Sequence, residues 1–318
     1  MNAVPDRVRF TRRQLGLLLA LTLMWGLNWP MMKLGVGEMP PLSFRALSLA
    51  LGLPMLYAMA RAFGVSLAVA RSDWRELVKL TTTNLLLWQL LLIVSLPSLS
   101  SGRAAILGYT MPIFSALWGI ALYRERLVPR QWLGVAAAAL GVTLLLWHEM
   151  GMVASSPWAA LGMLTAAACW GLGTQQLRRT TLSIPTLALA WWTTALTTVA
   201  MCVVAWWFES ARWAPLSTRA WVPVLYNAVL IFGMAQPIWL LIARSVPPAA
   251  STLSVMMIPV LGTVSGALWL REALHWQDGV ALLLMGVALG SVLWPGRSDP
   301  VAPAQASADS SGAPPPSA

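Results

Sequence analysis

The sequence predicts an all-α integral membrane protein, with ten transmembrane helices arranged as two inverted five-helix repeats, and three observations support this. Apolar runs recur along the chain at about 20 residues, the length a helix needs to cross a hydrocarbon core about 30 Å thick. Charged residues make up 10% of the sequence and hydrophobic residues 58%, whereas soluble domains carry about 25% charged residues. The third observation is a stretch that occurs twice. Residues 108–127, GYTMPIFSALWGIALYRERL, align with residues 255–274, VMMIPVLGTVSGALWLREAL, at a constant offset of 147. The copies share Pro112 with Pro259, Gly119 with Gly266, Arg124 with Arg271, Glu125 with Glu272 and Leu127 with Leu274. A second shared run follows at an offset of 145, where Gly134, Val135, Ala136, Gly141 and Val142 recur as Gly279, Val280, Ala281, Gly286 and Val287. A chain that repeats itself at about half its length points to duplication.

Hydropathy places the spans near 14–34, 41–62, 75–95, 102–122, 129–148, 157–178, 184–208, 219–242, 248–270 and 276–295. The first follows Arg7, Arg9, Arg12 and Arg13 like a signal peptide, but Trp25, Asn28, Trp29 and Pro30 stand where a small-residue cleavage site would be. It is therefore read as an uncleaved span. Span three carries Asn84, Trp88 and Gln89, span four Tyr109 and Pro112, and span five the small-residue run Ala136 to Ala139. Span six repeats the Trp25, Gly26, Leu27 of span one as Trp170, Gly171, Leu172, and Gln236 in span eight matches Gln89. Trp206, Trp207, Trp213 and Trp221 bracket the connection between spans seven and eight, as an interfacial belt would. Pro259 sits inside span nine, and Gly286 and Gly290 suit close helix packing in span ten, with a homodimer as the alternative to a monomer. Residues 298–318, rich in Pro, Ala and Ser, are read as a disordered tail.

Charge sets the expected orientation. The +10 formal charge is scattered between apolar segments rather than gathered into a patch, which fits a lipid bilayer and not a nucleic acid. With residues 1–13 in the cytoplasm, inner loops carry three times as many Lys and Arg as outer ones, so both termini are placed inside. Five is odd, so the first repeat (14–150) and the second (151–297) cross the membrane in opposite senses. Inverted repeats are a recurring design of secondary transporters, which exchange inward-open and outward-open shapes around a central site.

These features together resemble the EamA-type drug/metabolite transporter superfamily: two five-helix halves, each with a proline-containing fourth helix, a terminal Glu and a Gly-rich fifth helix. The Trp-rich composition and the run MWGLNWPMMK look most like the YddG-type aromatic amino-acid exporters of bacterial inner membranes. The resemblance implies a substrate cavity enclosed by spans one, three, four, six, eight and nine.

Candidate binding residues are polar and aromatic side chains inside those spans. Asn84 and Trp88 lie four apart and share a helix face, where an amide and an indole suit a zwitterionic head and a flat side chain. The alternative has Asn84 bonding a neighbouring helix and Trp88 facing lipid. Tyr109 reaches the cavity or packs at an interface. Trp170 and Thr174, four apart, and Trp25 and Asn28, three apart, lie on repeat mates and are expected to face each other. Gln236, followed by Pro237, offers a side-chain amide and a freed carbonyl, or with Gln89 an interhelix bond. Pro112 and Pro259 are candidate hinges. Arg45, a turn inside span two, is expected to snorkel to the outer interface, or to join Lys33 and Arg103 in a positive vestibule.

All eleven Asp and Glu residues fall in loops, tails or span ends, so no buried acid is placed for a proton relay. His148, beside Glu149, remains a titrating candidate at the outer end of span five. Glu125 and Glu272 fall on opposite membrane faces, where a helix C-terminal dipole disfavours a carboxylate. Each is expected to lean on Arg124 or Arg126, or on Arg271. Cys169 and Cys202 lie inside apolar runs, giving neither a disulfide framework nor a metal site, and no cofactor is expected. The reading is a secondary transporter, not an enzyme, that exports aromatic and other neutral amino acids by alternating access, as a uniporter. The alternative is an exporter of another small metabolite or drug. An intramembrane enzyme would need an acid, base, nucleophile or metal cluster at membrane depth.

Overall fold

In the computed structural model the described residues are 12–127, 129–151, 157–236, 238 and 248–293. The segment before Arg12, Pro237 and the tail 298–318 lie outside them, as does the side chain of His148. The regular structure of the described residues is helical: α1 (Arg12–Glu38), α2 (Pro41–Ala62), α3 (Arg71–Ser98), α4 (Ser101–Tyr123), α5 (Pro129–Gly151), α6 (Pro157–Leu177), α7 (Thr186–Glu209), α8 (Thr218–Ala235), α9 (Pro248–Leu270) and α10 (Trp276–Leu293). Among the described residues six stretches are long and apolar enough to cross a membrane, namely α1, α2, α3, α4, α7 with its extension to Arg212, and α8. Met257–Leu270 and Trp276–Ser291 are shorter apolar helices.

Two helices widen to π geometry at corresponding places. In α3 the wide turn covers Thr81–Leu86; in α8 it covers Tyr226–Ala235, which contains the residues 147 positions further on. The local causes differ. The hydroxyls of Thr81, Thr82 and Thr83 donate to the carbonyls of Leu77, Val78 and Lys79, competing with the backbone for its acceptors and loosening the helix. In α8, Pro223 lacks an N–H, and the Asn227 amide donates to its carbonyl at 3.0 Å. Wide turns of this kind are frequent at functional sites.

The two prolines of the repeated stretch differ in outcome. In α4 the helix stops at Gly108 and resumes at Met111, with Pro112 in the first turn of the second half. Pro112 cannot donate to the Gly108 carbonyl, and glycine weakens the helix there by about 1 kcal/mol. In α9 the corresponding Pro259 sits inside a continuous helix. The position four before it, matching Gly108, is Val255, not a glycine.

Helix pairs follow a pattern in which each helix exchanges with its counterpart five places on. Thus α1 packs on α9 and α6 on α4; α2 on α8 and α7 on α3; α1 on α8 and α6 on α3; while α2 with α7 and α5 with α10 pair directly. Glycines set the closest approaches. A Cβ on Gly171 would meet the Ser115 backbone nitrogen at 2.7 Å, and one on Gly173 the Asn84 nitrogen at 2.6 Å. Of the small residues expected to pack closely, Ala137 and Ala138 are buried, but Gly286 has open space beside it; Gly141 packs against Ala281 and Leu284. Trp206, Trp207, Trp213 and Trp221 are exposed near the α7–α8 connection.

Candidate functional site

The repeated Gly, Arg, Glu motif forms the same local structure twice. Arg124 and Arg271 take left-handed backbone angles, φ 56° and 55°, and no other non-glycine residue among those described has positive φ. This sharp reversal lets Glu125 N–H donate to Gly119 O at 3.0 Å and Glu272 N–H to Gly266 O at 3.5 Å. Each carboxylate folds back over its glycine, where a Cβ would collide with it. The shared glycines are therefore room for the shared glutamates.

The arginines expected to neutralise those glutamates do not. Glu272 accepts from the backbone N–H and the hydroxyl of Ser101 at the start of α4, at 2.9 and 2.6 Å. A carboxylate at a helix N-terminus takes orphan N–H groups and opposes the helix dipole. Glu125 pairs with Arg179, in the turn just past α6, whose guanidinium also stacks 3.8 Å above the Tyr123 ring. Both partners are distant in sequence, which is why local reading missed them.

Around Glu272 one end of the bundle is laced together. Lys33 donates to the carbonyls of Leu96, Pro97 and Leu99 at 3.1, 2.6 and 2.6 Å, capping the C-terminus of α3 with a cation. Arg103 and Asp278 form a buried ion pair at 2.8 Å. Lys33, Arg103, Glu272 and His275 border a surface cavity of about 320 Å³, so Lys33 and Arg103 do reach one recess, each already engaged. Glu209 accepts from Leu42 N–H, Ser43 N–H and the Ser43 hydroxyl at 3.1, 2.7 and 2.7 Å, and Ser217 donates to Glu38. Replacing Glu272 by Ala removes the carboxylate from the N-terminus of α4, where the Ser100 cap remains, and is expected to cost about 1 kcal/mol and to loosen this end. In a background lacking Cys169 and Cys202, labelling of Ser98→Cys by an impermeant thiol reagent should speed up; an unchanged rate would show that the carboxylate does not hold this end shut.

The opposite end carries a separate set of ties. Besides Glu125 and Arg179, Glu76 accepts from Thr180 and Thr181, Thr83 donates to Gln176 at 2.8 Å, and Gln175 donates to Ser115 O at 2.6 Å.

Between the ends, four aromatic side chains from four helices meet around Gly108. Trp29 and Tyr109 contact edge to face with centroids 6.4 Å apart, and Trp88 and Trp170 do so at 5.7 Å. A Cβ on Gly108 would meet Trp29 at 2.9 Å and Trp88 at 3.2 Å. The glycine that breaks α4 thus also admits the two indoles. Sequence reading named Trp88, Tyr109 and Trp170 and missed Trp29, although its place four residues after Trp25 was a usable signal.

The other candidates vary. Trp25 is half-buried and packs against the core near Met24. Asn28 is buried, and its Oδ1 has no hydrogen-bond partner among the described residues. Asn84 lies in the wide turn of α3 against Gly173, so it faces α6 as Trp88 does. Thr174 donates its hydroxyl to Trp170 O at 2.9 Å, within its own helix. Gln236 is half-buried just past the wide turn of α8. Trp25 and Asn28 are not seen against Trp170 and Thr174; the contacts of Trp170 run to Trp88 instead.

One expectation about charge is corrected. Arg45 does not snorkel: it is 1% exposed, donating to Asn227 Oδ1 at 3.2 Å and to Met32 Sδ at 2.7 Å. Glu209 and Asp278 stand at helix ends, as the sequence indicated, and are 4% exposed there. They escape the burial penalty because each is fully engaged by hydrogen-bond donors.

A bundle of apolar helices with an aromatic centre and independent polar ties at its two ends is built as a membrane transporter is. The profile of the EamA-like transporter family matches residues 13–147 and again 157–294, and the chain belongs to that family. It is 24% identical to the uncharacterized transporter YoaV of Bacillus subtilis over 268 residues, 84% of this chain and 90% of that one. It is 26% identical over 292 residues to the uncharacterized inner membrane transporter YedA of Escherichia coli, covering 89% and 92%. The aromatic amino acid exporter YddG of Ancylobacter novellus is 26% identical over 271 residues, covering 81% and 90%. A protein of known crystal structure shares the fold, with a TM-score of 0.64 at 21% identity over 88% of this chain and 97% of that one.

Proposed function

We propose that this chain exports aromatic and other neutral amino acids across a bacterial inner membrane by alternating access. The observation that carries the reading is the aromatic group of Trp29, Trp88, Tyr109 and Trp170, which gathers side chains from helices of both halves. Edge-to-face rings of this kind present apolar faces and edges to a flat guest. The named activity of the YddG relative points the same way.

Ten spans in two inverted halves, 14–150 and 151–297, are part of this proposal, with both termini cytoplasmic and one protomer or a homodimer as the unit. The double family match, the twinned left-handed arginines and the exchange pattern of helix pairs support it. The charge bias puts the Glu272 end outside and the Glu125 end inside. The two motifs then act as gate ties on opposite faces, and the break at Pro112 with the two wide turns gives the helices places to bend. Transport is facilitative in this reading, because Glu209 and Asp278 are held in structural bonds.

The test is uptake into liposomes containing the purified protein. Labelled tryptophan, phenylalanine, methionine and threonine should equilibrate faster than in empty vesicles, with no dependence on an imposed pH gradient. Failure of all four would assign the protein to another small metabolite or drug.

A further inference from the structure

Among the described residues, Arg45 is a buried cation without a counter-ion. Among the described residues no carboxylate pairs with it, and the nearby Glu209 is taken up by Leu42 and Ser43. The faces of its guanidinium lie near the rings of Phe44 and Phe232, 5.7 and 5.6 Å from their centroids. Its donors are unequally satisfied. Nη1 donates to an amide oxygen, Asn227 Oδ1; Nη2 meets only the sulfur of Met32, a weak acceptor; and Nε has no partner. The edge formed by Nε and Nη2 is one that binds a carboxylate through two parallel hydrogen bonds. Here that edge is covered by a thioether, the most adaptable of apolar side chains.

The same face of α1 carries the complementary group. Asn28 lies one turn before Met32, about 6 Å along the helix axis, and its buried Oδ1 has no donor. Buried polar atoms in a native fold are nearly always paired, and a charge at membrane depth without a partner is a functional mark. A vacant acceptor and, at Met32 one turn on, a cationic edge covered only by a thioether, next to an aromatic group through Trp29, match the ammonium, carboxylate and side chain of an α-amino acid.

We propose that Arg45 and Asn28 form the head-group subsite of the transport pathway. The Nε and Nη2 edge of Arg45 takes the substrate carboxylate once Met32 swings aside, and Asn28 Oδ1 accepts from the ammonium. This rests on the amino-acid reading above for its substrate class.

The experiment is counterflow of labelled phenylalanine in liposomes holding the full chain, with phenylalaninol and 3-phenylpropionate as competitors lacking the carboxylate and the ammonium. In the wild type both should compete about tenfold or more weakly than phenylalanine, the loss expected for a missing charged hydrogen bond. Arg45→Met should weaken phenylalanine about as much while leaving phenylalaninol unchanged. Asn28→Leu should weaken phenylalanine and phenylalaninol but not 3-phenylpropionate. Removing an uncompensated buried charge should also hold or raise the melting temperature, whereas a purely structural Arg45 predicts a fall. Phenylalaninol competing as well as phenylalanine in the wild type would overturn the subsite without any variant. If no amino acid is transported, the functional reading fails separately. Melting of the wild type with 3-phenylpropionate then decides the carboxylate site: a rise lost in Arg45→Met sustains it, and no rise rejects it.

Discussion

Trp170→Ala and Trp88→Ala are expected to lower the initial rate of amino-acid transport about tenfold or more while folded protein is still recovered. Each deletes half of the edge-to-face pair at 5.7 Å. Such a pair is worth about 0.5–1.5 kcal/mol beyond its buried area, and the lost area adds to the deficit for a guest lying against it. The two variants should differ in stability. Trp88 is 8% exposed, so its truncation falls in the class costing about 3–5 kcal/mol, while half-buried Trp170 loses less. Trp170→Ala is therefore the cleaner test. Phenylalanine at either position should restore part of the rate, because it returns a ring to the site. Unchanged transport in both alanine variants, with melting temperatures recorded alongside, would remove the aromatic group from the pathway.

Gly173→Ala should be the most damaging single methyl in the bundle. Its Cβ would lie 2.6 Å from the Asn84 nitrogen, and backbone, unlike a flexible side chain, has little room to move aside. Helices α3 and α6 must separate, which also parts Trp88 from Trp170. Overpacking of this kind costs about 1–3 kcal/mol, occasionally more, so a lower melting temperature and a lower transport rate are expected together. Gly286→Ala is the matched control. Nothing stands within 4 Å of its Cβ position, and alanine favours a helix over glycine by about 1 kcal/mol. That variant should melt at the wild-type temperature or above it; equal melting of both variants would mean that α3 and α6 are not in the contact described.

Helix placement was readable from composition because it depends on local quantities. The span read as 41–62 is α2, Pro41–Ala62, set by proline at its start and an apolar run of spanning length. The wide turns of α3 and α8 were less accessible, although Thr81 to Thr83 and the Pro223, Asn227 spacing contain their causes. Three adjacent threonines bend a helix only if their hydroxyls turn back to the carbonyls, and packing decides that choice.

The candidate site divides similarly. Trp88, Tyr109 and Trp170 were legible as large polar-tipped or aromatic residues inside spans, but which ring meets which was not. Trp170 was expected near Trp25 by repeat symmetry and instead contacts Trp88, because Gly171 and Gly173 bring α6 tightly against α4 and α3. Arg45 misled for a related reason. Near a span end, water is the cheaper partner for a guanidinium, and only the arrival of Asn227 from α8 and Met32 from α1 makes burial tolerable.

By itself, then, the sequence determined that this chain is apolar, helical and internally repeated, and that Gly, Arg and Glu recur together at the ends of α4 and α9. Length, hydropathy and self-similarity are properties of short windows and need no partner. Only the tertiary structure decided what the motif does: the glycine admits the folded-back carboxylate, the left-handed arginine aims it, and the glutamate caps Ser101 at one end and holds Arg179 at the other. A hydrogen bond is short and directional, so its two halves can lie far apart in sequence, and only the folded packing brings them within reach.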